Sequence, residues 1–275
     1  MDVKEFTKPD EPLENLTHGP AIGLKTFFKL FDPRYRKAAF ILLYATMVLT
    51  LWRYISPAPQ LLDQRFLSGV VSAKFTTADF SNMTDSAATT KVTLGQFFAG
   101  EKRTFAGFIM MGLIPLLLVK FLFKENPRDY GVAWGNCFTL RSILLFTPIV
   151  VGITYLGESP GYHFIYPYNP AAAFSSTNFW LHSLLLLLFY YTGWEFFFRG
   201  FMLHGLIPSC GLLNAVLIST MASAMLHYGH PMSEVFGAIG VGLLWGLLAR
   251  RTESILSGII QHSAVGIAIN WFILH

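Results

Sequence analysis

The chain has 275 residues and a formal net charge of +4, with 53% hydrophobic and only 13% charged residues. Soluble domains carry about a quarter charged residues, so this composition excludes an ordinary water-soluble globule, and the small positive surplus does not call for nucleic acid as a partner. Continuous Leu-rich runs exclude a β-barrel, whose strands alternate in short segments. The expected class is all-α: a polytopic membrane protein of about seven transmembrane helices with the lipid bilayer as its solvent.

Residues 1–37 mix acids and bases and end in Arg34, Arg36 and Lys37. This polar start is not a signal peptide; it reads as a cytoplasmic tail whose FFKLF segment at 27–31 can lie on the membrane surface. Span 1 is expected at 38–55. Residues 56–103 form the longest polar connection, extracytoplasmic, either a small lobe or a flexible loop. Spans 2 and 3 (104–123 and 139–156) contain Pro115 and Pro148, which read as kinks because neighbouring helices can satisfy the freed carbonyls. Residues 157–178 contain no Lys or Arg. Span 4, at 179–207, exceeds what a straight crossing needs and should tilt or protrude. A tight turn at 208–211 precedes span 5 (212–227), span 6 (235–249) and span 7 (254–274).

Three units follow: a tail at 1–37, an N-terminal membrane region at 38–156, and a four-helix unit at 157–275. Lys and Arg cluster before span 1, between spans 2 and 3, and between spans 6 and 7. That pattern predicts a cytoplasmic N-terminus in the cell (inner) membrane. Cys137 and Cys210 would then face the cytoplasm and stay reduced; their spacing is neither a disulfide framework nor a zinc signature. No internal repeat is evident, which weighs against an inverted-repeat transporter.

Chemistry concentrates in YYTGWEFFFRGFML at 190–203. Glu195 and Arg199 lie within an apolar run, where a central charge costs roughly 2.5–3.5 kcal/mol. At i and i+4 they share a helix face. One reading is a structural ion pair that pins the packing; the other is a site. His227, closing span 5, and His262, inside span 7, favour the site. Helical rise puts Glu195 ~18 Å, His227 ~22–24 Å and His262 ~12 Å from the cytoplasmic ends of their spans, and tilt can bring them together. One carboxylate, one guanidinium and two imidazoles suit water activation, with Glu195 as base, a histidine as second base or ligand, and Arg199 as support. His230 reads as a loop residue, and His182 and His204 as polar residues near the ends of span 4. There is no HExxH, so a zincin-type site is not supported. Ala238, Gly242 and Gly246 recur at four-residue spacing and read as helix packing.

Three stretches together carry a resemblance: WEFFFRG at 194–200, AMLHYGHP at 224–231 and IIQHSAVG at 259–266. They resemble the motifs of the CPBP family, the CAAX prenyl proteases and their bacterial relatives, also called Abi: EExxxR, FxxxH, and a histidine followed four residues later by Asn or a similar residue. The resemblance covers the last four spans and implies that they form a catalytic-type bundle of an intramembrane endopeptidase. Glu195 matches the second Glu of EExxxR, Arg199 its Arg, and His227 and His262 the two histidines. It further implies water activated by glutamate and histidine, a membrane-embedded or lipid-linked polypeptide substrate, and for some members a divalent metal such as zinc, here on His227 and His262. Three positions depart from the pattern. Trp194 replaces the first Glu, Ser223 replaces the Phe, and Gly266 stands where Asn is expected, with Asn270 one turn further on. Trp194 leaves a rival reading open, a catalytically degenerate scaffold or partner protein on the same bundle.

Overall fold

The computed structural model describes residues 33–55, 93–157 and 160–274. The expected tail up to residue 32 and the loop over 56–92 lie outside those residues. Among the described residues 86% are helical and none is in a strand, as a lipid environment demands of a chain that must satisfy its own backbone.

Seven helices carry the fold. They are α1 (Pro33–Ile55), the short α2 (Leu94–Gly100), α3 (Lys102–Leu122), α4 (Cys137–Leu156), α5 (Ser176–Met225), α6 (Met232–Thr252) and α7 (Leu256–Leu274). The five from α3 to α7 are long and apolar enough to cross a membrane. At 50 residues α5 is more than one crossing, and it contains the turn expected at 208–211. The break falls on Gly211 alone, at φ 78° and ψ 166°, a conformation that admits glycine and almost nothing else. Before it runs an N-terminal arm and after it a C-terminal arm, and the stretch Leu203–Met225 that contains the break packs beside α6 and α1. α7 packs on α4. The end of the loop expected at 56–103 is helical instead: α2 starts with a capping box in which Thr93 and Gln96 exchange bonds.

Both prolines expected to kink their spans lie inside continuing helices. Pro115 has no N–H to donate, and the backbone of α3 widens to i→i+5 bonding on either side of it, at Phe108–Leu113 and Leu118–Leu122. The Met110 carbonyl, five residues before Pro115, receives the Tyr44 hydroxyl of α1 at 2.7 Å. A neighbouring helix thus satisfies the backbone that the proline leaves open.

The base-rich loops meet at one end. Lys37 pairs with Glu125 at 2.9 Å, the Asn136 side chain donates to the Arg251 carbonyl at 3.1 Å, and Ile255 N–H donates to Gly131 at 3.0 Å. At the other end Ser233 donates to the Gly157 carbonyl and Arg53 to that of Tyr228. The outer face is apolar, with Leu43, Leu144 and Leu213 about 70% exposed, as lipid contact requires.

α3 and α5 cross on glycines. A Cβ on Gly193 would lie 3.0 Å from the Phe108 Cα, and one on Gly112 would lie 3.1 Å from the Gly193 Cα. Backbone cannot swing aside, so Gly193→Ala should force the helices apart and destabilise by about 1–3 kcal/mol. Gly240→Ala, with nothing within 4 Å, should leave stability unchanged or raise it by up to about 1 kcal/mol. Thermal unfolding in detergent checks both; equal midpoints would contradict this crossing.

Candidate active site

The stretch 190–203 lies mid-way along the N-terminal arm of α5. Around the regular turn Thr192–Glu195 the backbone widens to i→i+5 bonding, at Leu186–Tyr191 and Phe196–Met202. Such widened turns recur at functional sites. Side chains take up carbonyls there. The Thr192 hydroxyl donates to Leu187 at 2.8 Å, and His204 Nδ1–H donates to the Arg199 carbonyl at 2.7 Å. His204 therefore serves the backbone rather than the membrane interface.

Glu195 is fully buried. Its closest partner is His262, whose Nδ1–H donates to Oε1 at 2.7 Å. Arg199 is more distant, with Nη1 3.4 Å from the same oxygen. Oε2 has no hydrogen-bond partner and rests against Gly258, where a Cβ would come within 2.6 Å of it. Glu195 is thus first a partner of His262 and only loosely an ion pair. Arg199 also donates to the Ser223 hydroxyl at 3.4 Å and lies over the Trp245 ring at 5.5 Å. That gives a purpose to Ser223, the position where the family pattern has Phe.

His262 is held on both sides: its ring lies 4.5 Å from Tyr191 and 4.8 Å from Trp245. The Trp245 indole N–H is anchored on Gln261 at 2.9 Å. With Nδ1 committed to Glu195, Nε2 is the free nitrogen. His262 lines a cavity of about 180 Å³, together with Trp194, Tyr191, His227, His230 and Glu234. Neither Glu195 nor Arg199 lines it. The expectation that Glu195 itself meets water therefore needs revising, because its carboxylate reaches the cavity only through His262.

His227 shares the cavity without touching Glu195. Its Nδ1–H donates to the Ser223 carbonyl at 3.0 Å, and Nε2 lies 3.9 Å from Glu234 Oε1. Trp194 contacts both imidazoles edge to face, at 5.7 Å from His227 and 5.9 Å from His262. Glu234 is not singled out by the sequence, and His230 reads there as a loop residue. Here His230 Nδ1–H donates to Glu234 Oε1 at 2.8 Å, as does the Tyr166 hydroxyl. The available signal was their i,i+4 spacing across the start of α6.

Asn270 is buried with neither amide atom bonded, and it does not line the cavity. Gly266 does line it, and the Tyr191 hydroxyl stands where a Cβ on residue 266 would be. A hydroxyl from α5 thus takes the space of the missing Asn. His182 is fully buried and bonded to Glu101 at 2.6 Å. Glu101 also receives Asn169 and Thr104 at 2.7 Å, so this second buried group is a clasp joining α5 to the start of α3. Gly242 and Gly246 receive Thr220 and Val216 of α5, the close packing that their spacing suggested.

A catalytic zinc takes three protein ligands. Among the described residues no three His, Cys, Asp or Glu are grouped to hold a metal ion, and His227 and His262 both turn toward Trp194. As arranged, these residues do not fit a metal, and the chemistry below is derived from side chains alone.

The fold and site define a multi-pass, all-α membrane protein with a polar cavity inside its C-terminal bundle. Residues 176–268, about a third of the chain, match the family model described as Type II CAAX prenyl endopeptidase Rce1-like. Comparison with curated proteins and with solved structures found no match.

Removing one partner of a buried charge pair costs about 3–5 kcal/mol. Arg199→Met should lower stability by about 3 kcal/mol, and Glu195→Gln combined with it should recover part of the loss. Thermal unfolding of the single and double variants checks this; an unchanged midpoint in Arg199→Met would mean that Glu195 needs no counter-charge.

Proposed function

We propose that the chain is an intramembrane endopeptidase that hydrolyses membrane-embedded or lipid-linked polypeptides. The observation that carries this reading is the Glu195–His262 bond, which leaves His262 Nε2 free in the cavity shared with His227. A carboxylate on one imidazole nitrogen fixes the tautomer and makes the other a proton acceptor. Nε2 takes a proton from water, the water oxygen bonds the peptide carbonyl carbon, and the same proton passes to the nitrogen as the C–N bond breaks. Tyr191 donates to the carbonyl oxygen as charge develops there. Arg199 supplies the counter-charge of Glu195, and Glu234 holds His227 and His230 at the cavity wall.

The distribution of bases supports one orientation in the bilayer. With the base-rich end cytoplasmic, the N-terminus is inside. The loop bearing Tyr162, Tyr166 and Tyr168, which lines the cavity, then lies toward the opposite face. Substrates would be exported or lipid-linked chains entering from that side.

One observation favours a second reading, a bundle that keeps the fold as a scaffold without the reaction. Trp194 occupies the position of the family's first Glu, and its indole N–H has no partner. Purified wild type, reconstituted with co-expressed candidate membrane polypeptides, separates the two. The peptidase reading predicts cleavage that falls at least about 100-fold in His262→Ala, falls strongly in Glu195→Gln, and survives EDTA. Full biological activity in folded His262→Ala and Glu195→Ala variants would establish the scaffold instead.

A further inference from the structure

The cavity contains a cation that the proposed reaction does not use. Arg103, one residue into α3, lines the same cavity as His262. Its guanidinium lies 3.5 Å from the Tyr168 ring centroid, 5.6 Å from that of Trp52 and 5.8 Å from that of Tyr190. Nη2 donates to the Tyr190 hydroxyl at a long 3.4 Å, and Nε is buried with no hydrogen-bond partner. Among the described residues no carboxylate lies within salt-bridge distance of it. Glu234 is separated from it by two rings: Tyr168 donates to Tyr166 at 3.1 Å, and Tyr166 to Glu234 at 2.8 Å.

This arrangement is costly as it stands. A guanidinium carries five donors and no acceptor, and an ionised group enclosed by rings without a counter-ion is costly. Elsewhere in the bundle such groups are matched: Arg199 to Glu195, Lys37 to Glu125, His182 to Glu101. The aromatic cage supplies a cation–π contribution of about 0.5–2 kcal/mol, but it accepts few of the hydrogen bonds. What Arg103 lacks is a planar acceptor able to take two N–H groups side by side, and a carboxylate has that geometry.

We propose that Arg103 is a carboxylate-binding subsite of the cavity, occupied by a carboxylate of the polypeptide substrate. The inference rests on the reading that this cavity takes a polypeptide. The anion is then part of the molecule whose peptide bond lies at His262, and Arg103 sets where along the chain the cut falls. Two sources share the chemistry: the chain-terminal α-carboxylate and an Asp or Glu side chain.

Binding alone tests this, so the result does not depend on hydrolysis. Full-length protein carrying His262→Ala is reconstituted in nanodiscs and titrated with three fluorescent N-dodecanoyl hexapeptides of Ala, Val and Leu. One ends in a free carboxylate, one in an amide, and one in an amide with a single Asp. The expected result is that a carboxylate-bearing peptide binds about tenfold more tightly than the uncharged amide. Arg103→Gln abolishes that difference, and Arg103→Lys retains part of it. Preference for the free terminus assigns the α-carboxylate as the source; preference for the Asp peptide assigns a side chain. Equal binding of all three peptides, or equal weakening of all three by Arg103→Gln in monodisperse protein, would overturn the proposal and leave the peptidase reading untouched.

Discussion

A carboxylate buried in an apolar helix bundle must have a donor, and the arrangement of the C-terminal helices follows from meeting that need at Glu195. His262 provides the short bond, Arg199 the charge, and Gly258 the room for the second carboxylate oxygen. Each comes from a different turn or helix, so the bond fixes the register of α5 against α7. The widened turns of α5 belong to the same arrangement. They change the angular spacing of Glu195, Arg199 and His204, and His204 takes up a carbonyl in the widened segment. With Nδ1 of His262 committed to Glu195, the imidazole offers its other nitrogen to the cavity. Structure and proposed chemistry thus share one hydrogen bond.

The departures from the family motifs are met by neighbours instead of being left empty. Gly266 removes the expected amide, and the Tyr191 hydroxyl occupies that space. Ser223 removes an aromatic ring, and its hydroxyl receives Arg199. Trp194 removes a carboxylate. The cavity nevertheless has one in its wall, Glu234, reached from α6 and bonded to His230 and Tyr166. Polar capacity at the site has therefore been redistributed among helices, with Trp194 as the apolar surface against which His227 and His262 both rest.

Much of this was legible in the sequence. Apolar runs located the helices, five of which are long and apolar enough to cross a membrane, with expected spans 4 and 5 inside one 50-residue helix; the three clusters of bases do meet at one end. Glu195, Arg199, His227 and His262 stood out because ionisable groups are rare at such depth. Their connectivity did not follow from spacing. The i,i+4 spacing points to Arg199 as the main partner of Glu195, but that contact is 3.4 Å long and a histidine 67 positions away forms the shorter bond. His182 was illegible for the same reason, since its partner Glu101 lies 81 positions earlier. Glu234 was hidden by its place at the start of a helix, where an acidic residue is ordinary. Arg103 falls at the end of a polar stretch in the sequence, and only the folded chain puts Trp52, Tyr168 and Tyr190, from three segments, around its guanidinium.

The central claim is that Glu195 acts on the cavity through His262. Selective ¹⁵N-histidine NMR of the reconstituted protein, with the His262 signal assigned by its loss in His262→Gln, tests it most directly. The account predicts a proton on Nδ1 with Nε2 free, and loss of that tautomer preference in Glu195→Gln. A proton resident on Nε2 in the wild type, or a His262 signal indifferent to Glu195→Gln, would contradict it.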